Sequence, residues 1–242
     1  MSQTTGSAIS LEKVRQTAPG LVSLYKTAGD SLARYGLQGQ RAAVYLVLDY
    51  SGSMKPYYDD GTVQHLAEQV LGLCAHLDDD GVVPVVFFST GVDEEEEIAL
   101  DDYTGRIGRI VDRLGHMGRT NYHWGMDAVL DHYLSRGGGA PALVVFQTDG
   151  GPTSKLAAEK FLCKSAELPL FWQFVGFGQE QHFRFLRRMD ELSVPQRRIV
   201  DNAGFFYAGD NPRKTKDRDL FDRLLSGYPQ WLADARRAGI LT

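Results

Sequence analysis

The chain has 242 residues, with 26 basic and 31 acidic side chains and a formal net charge of −5. Hydrophobic residues are 43% and charged residues 24%, an ordinary globular composition that excludes chain-wide disorder. The longest near-apolar runs, 42–48 and 82–88, fall far short of the ~18 residues a membrane-spanning helix needs.

The first forty residues differ from the rest and read as a short helical N-terminal extension (1–40) packing on a main domain (41–242). Pro19, Gly20, Gly29, Gly36 and Gly39 interrupt amphipathic pieces. Leu21, Leu24 and Tyr25, then Leu32 and Tyr35, form two stripes, which predicts two short helices. The N-terminal Met1-Ser2-Gln3-Thr4-Thr5-Gly6-Ser7 is polar and lacks the apolar core of a signal peptide. Two cysteines, Cys74 and Cys163, are too few for a disulfide framework or a zinc site. Together these features predict a cytoplasmic protein.

From residue 42 strands alternate with helices. The run 42–49 is continuously apolar up to its closing Asp49, as in a strand buried on both faces of a parallel sheet. Val63, Leu66, Ala67, Val70, Leu71, Cys74 and Leu77 then recur with helical spacing. Strands are predicted over 82–89, 142–148, 170–177 and 204–208, and a short edge strand over 98–100 after an acidic turn at 93–97. Helices are predicted over 103–114, 121–134, 154–167, 180–192, 217–225 and 228–238. This order predicts an α/β fold: a doubly wound, mostly parallel sheet with helices on both faces and one antiparallel edge strand. Right-handed crossovers place the loops that follow the strands at one sheet edge, where such folds bind ligands.

That edge collects oxygen. Asp49, Ser51 and Ser53 alternate directly after the first strand, Thr120 lies in the loop before a helix, and Asp149 ends the 142–148 strand. Each alone reads equally as a helix cap or a turn. As a set, two carboxylates and three hydroxyls suit a hard divalent cation: Mg²⁺ first, with Mn²⁺ or Ca²⁺ as alternatives.

Asp49-x-Ser51-x-Ser53, Gly118-Arg119-Thr120-Asn121 and Thr148-Asp149-Gly150 together resemble the metal-ion-dependent adhesion site of von Willebrand factor type A (VWA) domains. The likeness spans roughly residues 42–208. Within that family the chain is similar to the bacterial branch found with tellurium (toxic cation) resistance proteins, through Ile9-Ser10-Leu11-Glu12-Lys13, Ala18-Pro19-Gly20-Leu21-Val22-Ser23-Leu24, Val44-Tyr45-Leu46-Val47-Leu48-Asp49, Asp60-Gly61-Thr62-Val63-Gln64 and Phe88-Ser89-Thr90-Gly91. The resemblance implies that Ser51, Ser53 and Thr120 bind the metal directly, with Asp49 and Asp149 acting mostly through water. It also implies a Rossmann-like VWA fold and a protein partner whose Asp or Glu completes the metal shell, with other tellurium-resistance proteins as candidates. Gly118-Arg119 stands where the family more often has two glycines.

Other features carry less chemistry. His116, His123 and His132 cluster around Thr120 in sequence without a metal-ligand spacing. Asp78-Asp79-Asp80 and Glu94-Glu95-Glu96-Glu97 read as solvated turns, and Arg213-Lys214-Thr215-Lys216 as a solvated loop. Gly176-Phe177-Gly178 lacks a third glycine for dinucleotide binding. Tyr57, Tyr58, Asp59 and Asp60 read either as a partner-contacting rim or as an exposed helix start. Residues 1–183 carry 14 basic and 23 acidic side chains, net −9, while 184–242 carry 12 and 8, net +4. That balance argues against nucleic-acid binding. The leading expectation is a non-enzymatic, metal-dependent protein-binding module in a bacterial tellurium-resistance or stress-response system. The alternatives are a Mg²⁺-dependent hydrolase or phosphatase on the same site, and a structural subunit whose metal is incidental.

Overall fold

A computed structural model describes residues 6–194 and 196–241; the first five residues of the expected extension lie outside them. The elements in chain order are α1 (Leu11–Thr17), α2 (Val22–Arg34), β1 (Ala43–Asp49), α3 (Lys55–Asp59), α4 (Thr62–Leu77), β2 (Val82–Phe88), β3 (Val92–Ala99) and α5 (Arg106–Val111). They continue with α6 (Tyr122–Ser135), β4 (Ala142–Thr148), α7 (Lys155–Ser165), β5 (Leu170–Phe177), α8 (Arg184–Asp190), β6 (Ala203–Gly209), α9 (Asp217–Leu225) and α10 (Tyr228–Arg237).

The six strands form one sheet in the order β3-β2-β1-β4-β5-β6. All neighbours are parallel except β2 and β3. Every residue of β4 and β5 is buried, which explains why both are mostly apolar, with only Gln147, Thr148 and Gln173 as polar members. Two apolar cores result. Leu46, Leu48 and Val145 face one that includes α4, α2, α9 and α10; Val47, Phe146 and Phe174 face the other, with α6, α7 and α8.

Three sequence expectations change. The acidic run 93–97 is not a turn: it lies within β3, with Glu94–Glu97 paired to Phe87–Pro84 of β2. Strong carboxylate content is tolerated there because β3 is an edge strand whose outer side meets solvent. The two stripes of the first forty residues belong to one continuous helix, α2, and the first helix lies earlier, at α1. Gly29 does not break α2; it makes room for His76, since a Cβ there would sit 2.9 Å from that ring. The helix expected over 180–192 is a short 3₁₀ turn, Glu180–Phe183, followed by α8.

The N-terminal segment ties α2 and α4 together. Ala8 and Ile9 donate their N–H groups to the carbonyls of His76 and Ala75 at 3.1 and 2.8 Å. Tyr25 donates its hydroxyl to the Ile9 carbonyl at 2.7 Å. His76 lies between Ser7 and the Tyr25 carbonyl, with Nδ1 2.6 Å from the Ser7 hydroxyl and Nε2 2.7 Å from the carbonyl oxygen.

Candidate metal centre

The sheet order reverses between β1 and β4, so the crevice where a doubly wound fold binds ligands opens between their carboxyl ends. Asp49 is the last residue of β1 and Asp149 follows the last residue of β4. Two of the five expected residues are therefore placed by the strands themselves.

Asp49 is fully buried. Its Oδ1 accepts the Ser51 N–H at 2.9 Å and its Oδ2 accepts the Thr148 hydroxyl at 2.6 Å. Tyr58 donates its hydroxyl to the Asp49 carbonyl at 2.8 Å, and its ring meets Tyr50 edge-on. Burial pushes the Asp49 carboxyl up to about 7 despite the opposing hydrogen bonds from Thr148 and Ser51. Immediately beyond, the Ser51 and Ser53 hydroxyl oxygens lie 3.3 Å apart. Asp149 is half-buried; burial raises its pKa, and a hydrogen bond from Ser53 opposes that shift.

Thr120 is distant in sequence but is brought to the same place by main-chain pairing. Ser51 and Gly118 form an isolated parallel bridge. Gly52 donates to the Gly118 carbonyl and Gly118 to the Tyr50 carbonyl, each at 3.3 Å. A Cβ on Gly118 would lie 2.6 Å from the Ser89 hydroxyl and 2.7 Å from that of Thr90, so this approach needs glycine. Arg119 holds the next position without disturbing it, its N–H on the Thr90 hydroxyl at 3.1 Å. The Thr120 carbonyl accepts the Thr153 N–H at 2.7 Å, which links this loop to the one after β4. All five expected residues thus belong to three loops joined by main-chain bonds.

The expected rim divides. Tyr57 and Asp60 line a cleft of about 380 Å³ that also touches Ser53, Asp149, His182 and Asp210. Tyr58 points beneath the Asp49 loop, and Asp59 pairs with Lys55 at 2.7 Å. The three histidines do not converge: His132 meets the Tyr45 hydroxyl at 3.1 Å in the last turn of α6, away from the Thr120 loop, and His116 is exposed. Among the described residues no group of three or more His, Cys, Asp or Glu side chains is arranged to hold a metal ion. The oxygen set differs in kind from such groups, being mostly hydroxyl.

Sequence reading missed three contributors. Thr148 was visible within the motif but not as the donor to Asp49. Tyr122, whose hydroxyl donates to the Gly150 carbonyl, looked like a core aromatic. His182 enters the cleft from the loop after β5, and its only sequence signal is its place beyond a strand end.

Comparison with known proteins decides the family. A domain model described as the vWA found in the TerF C terminus matches residues 41–241. The chain belongs to the vWA-TerF-like family. It is 35% identical over 204 residues to the uncharacterised protein YcbR of Bacillus subtilis, covering 83% of this chain and 81% of YcbR. Among solved structures it is similar to the manganese-loaded TRAP protein of Plasmodium vivax, with 20% identity, a TM-score of 0.53, and coverage of 77% of this chain and 72% of that one. It is also similar to a von Willebrand factor type A protein from Catenulispora acidiphila, with 13% identity, a TM-score of 0.53, and coverage of 77% and 43%. These likenesses establish a VWA fold. Among the described residues no helix is long and apolar enough to cross a membrane.

Proposed function

We propose that this VWA domain is a metal-dependent protein-binding module without catalytic turnover. One observation supports the reading: main-chain bonds join the three loops that carry Asp49, Ser51 and Ser53, Thr120, and Asp149 at the switch point of the sheet, with the Ser51 and Ser53 hydroxyl oxygens 3.3 Å apart. This all-oxygen set suits a hard divalent cation, Mg²⁺ before Mn²⁺ or Ca²⁺. Ser51, Ser53 and Thr120 would hold the ion directly, and Asp49 and Asp149 would act largely through water. Bound there, the cation supplies an electrophilic point for an outside carboxylate, because neutral hydroxyls donate little charge to it.

Thr148 and the Ser51 N–H orient Asp49, and Tyr58 anchors the main chain beneath it. The cleft beside Ser53 and Asp149 provides room for the chain that presents a partner's Asp or Glu. The TerF-type match and the branch motifs support a role in a bacterial tellurium-resistance or stress-response system, with other proteins of that system as candidate partners. The unpaired Cys74 and Cys163 suit a cytoplasmic setting.

Titration calorimetry with Mg²⁺ tests the site. Wild type should show one site per chain and Asp49→Ala a severely weakened one; equal binding by both removes the assignment. In the same preparations, phosphoester hydrolysis that disappears in Asp149→Ala would replace this reading with the hydrolase.

A further inference from the structure

The sheet ends in two edges of opposite character. β3 carries Asp93, Glu94, Glu95, Glu96 and Glu97. Only Glu96 has cationic partners among the described residues, Arg106 and Arg113. β6, at the other edge, is Ala203-Gly204-Phe205-Phe206-Tyr207-Ala208-Gly209 and carries no charge. Arginines flank it on both faces: Arg187 lies 5.5 Å from the Phe205 ring centroid and Arg223 lies 6.0 Å from that of Phe206. The same polarity runs through the whole chain, net −9 before residue 184 and net +4 from residue 184 onward.

The main chains of the two edges also match. Leu100 donates to the Gly81 carbonyl on the β2 side, so alternation along the regular part of the ladder, up to the bulge at Asp93, turns the main-chain groups of Glu95, Glu97 and Ala99 outward. The Glu97 carbonyl accepts Arg106 Nε at 3.3 Å, consistent with that direction. On β6, Asn202 bonds to Trp172 of β5, so Ala203, Phe205 and Tyr207 face outward, and the Tyr207 carbonyl accepts Arg223 at 2.9 Å. Each edge thus offers three outward residues at a spacing of two. β3 runs against the other strands. A second copy displaced along the sheet therefore presents its β6 antiparallel to β3, the better-bonded arrangement.

We propose that the chain associates with further copies of itself edge to edge, β3 of one molecule paired antiparallel with β6 of the next. Like charge keeps β3 from pairing with another β3, and the flanking arginines do the same for β6, so the contact is heterologous and head to tail. Each sheet then continues into the next with the same side up. The candidate metal centres fall in a row along one rim, which makes the assembly multivalent toward any repeated partner.

Sedimentation velocity over a concentration series, at low and high salt, tests this. Wild type should associate with increasing concentration at low salt and dissociate at high salt. Glu95→Lys/Glu97→Lys and Arg187→Glu/Arg223→Glu, each confirmed folded by circular dichroism, should each remain monomeric. Their equimolar mixture should associate again, because each reversed edge then meets an opposite one. Glu95→Pro removes one outward N–H and should abolish association. A wild type that is monomeric throughout, or association that survives the charge reversals, overturns the proposal.

Discussion

The two halves of the candidate metal centre are built differently. The half after β1 is closed: Asp49 is fully buried, both carboxylate oxygens are bonded, and Tyr58 pins its carbonyl. The half made by Thr120 and Asp149 is open. Asp149 is half-buried at the mouth of a cleft, and Thr120 is held through its main chain, leaving its hydroxyl without a hydrogen-bond partner among the described residues. A site assembled this way has one fixed wall and one adjustable wall. The fixed wall carries the electrostatic cost of a buried carboxylate, and the adjustable wall meets whatever arrives.

The largest consequence is a pH dependence of the metal-free protein. Asp49 is pushed up to about 7, against an ordinary carboxylate value near 3.8. Between those values the folded chain holds a proton that the unfolded chain has released, so stability should fall as pH rises from about 4 to about 7. The loss from this one group is on the order of 4 kcal/mol. Urea unfolding in chelator across that range should show the slope, and Asp49→Asn should make it shallower, leaving the smaller contribution of other raised carboxyls such as Asp190. Saturating Mg²⁺ should offset the decline at the upper end. A wild-type slope no steeper than that of the variant would mean the closed wall costs nothing, and the contrast fails.

A smaller effect separates the donors from the ligands. Thr148→Val keeps the shape of the side chain but removes the proton donated to Asp49. Above pH 7 the metal-free protein should lose about 1–3 kcal/mol, the cost of a buried acceptor left unpaired. The unfolding midpoint of the variant in chelator measures this. A loss that is equally large at pH 4, where the carboxyl is protonated, would point to packing instead.

The smallest change in metal-free stability belongs to the open wall. Thr120→Ala should alter the metal-free midpoint by no more than about 1 kcal/mol, the scale of a helix cap. Its deficit should appear only with metal. A cation at 100 times its dissociation constant adds about 2.7 kcal/mol to a fold that alone binds it. Differential scanning fluorimetry should show a clear Mg²⁺-induced rise for wild type and a reduced one for Thr120→Ala. An undiminished rise takes Thr120 out of the metal shell and moves the open wall elsewhere.

Most of this architecture could be read from the sequence because two strong signals coincide in it. A continuous apolar run marked β1, largely apolar stretches marked β4 and β5, and the period of α4 marked the helix that packs on the sheet. The loops between such elements must fall at one edge, so Asp49, Ser51, Ser53, Thr120 and Asp149 could be grouped before any contact was known. Tertiary context hid the rest. The carboxylates of β3 argue against a strand locally, yet an edge with solvent on its outer side accepts them. Gly29 looks like a helix breaker until His76 is seen to need its space. Thr148 and Tyr122 act through hydrogen bonds to other loops, which no spacing in the sequence records.

The way the N-terminal segment closes over α4 sets where the chain can be cut. The family model begins at residue 41, but the main-chain donors to the His76 and Ala75 carbonyls, in the last turn of α4, come from Ala8 and Ile9. The apolar side of α4 is covered in turn by α2, where Leu24 presses so closely on Gly72 that a Cβ there would lie 3.1 Å away. A fragment started at the family boundary would leave the Ala75 and His76 carbonyls without those N–H partners and bare an apolar helix face. For expression and crystallisation, the practical unit of this protein therefore begins before Ser7, some way upstream of the recognisable domain.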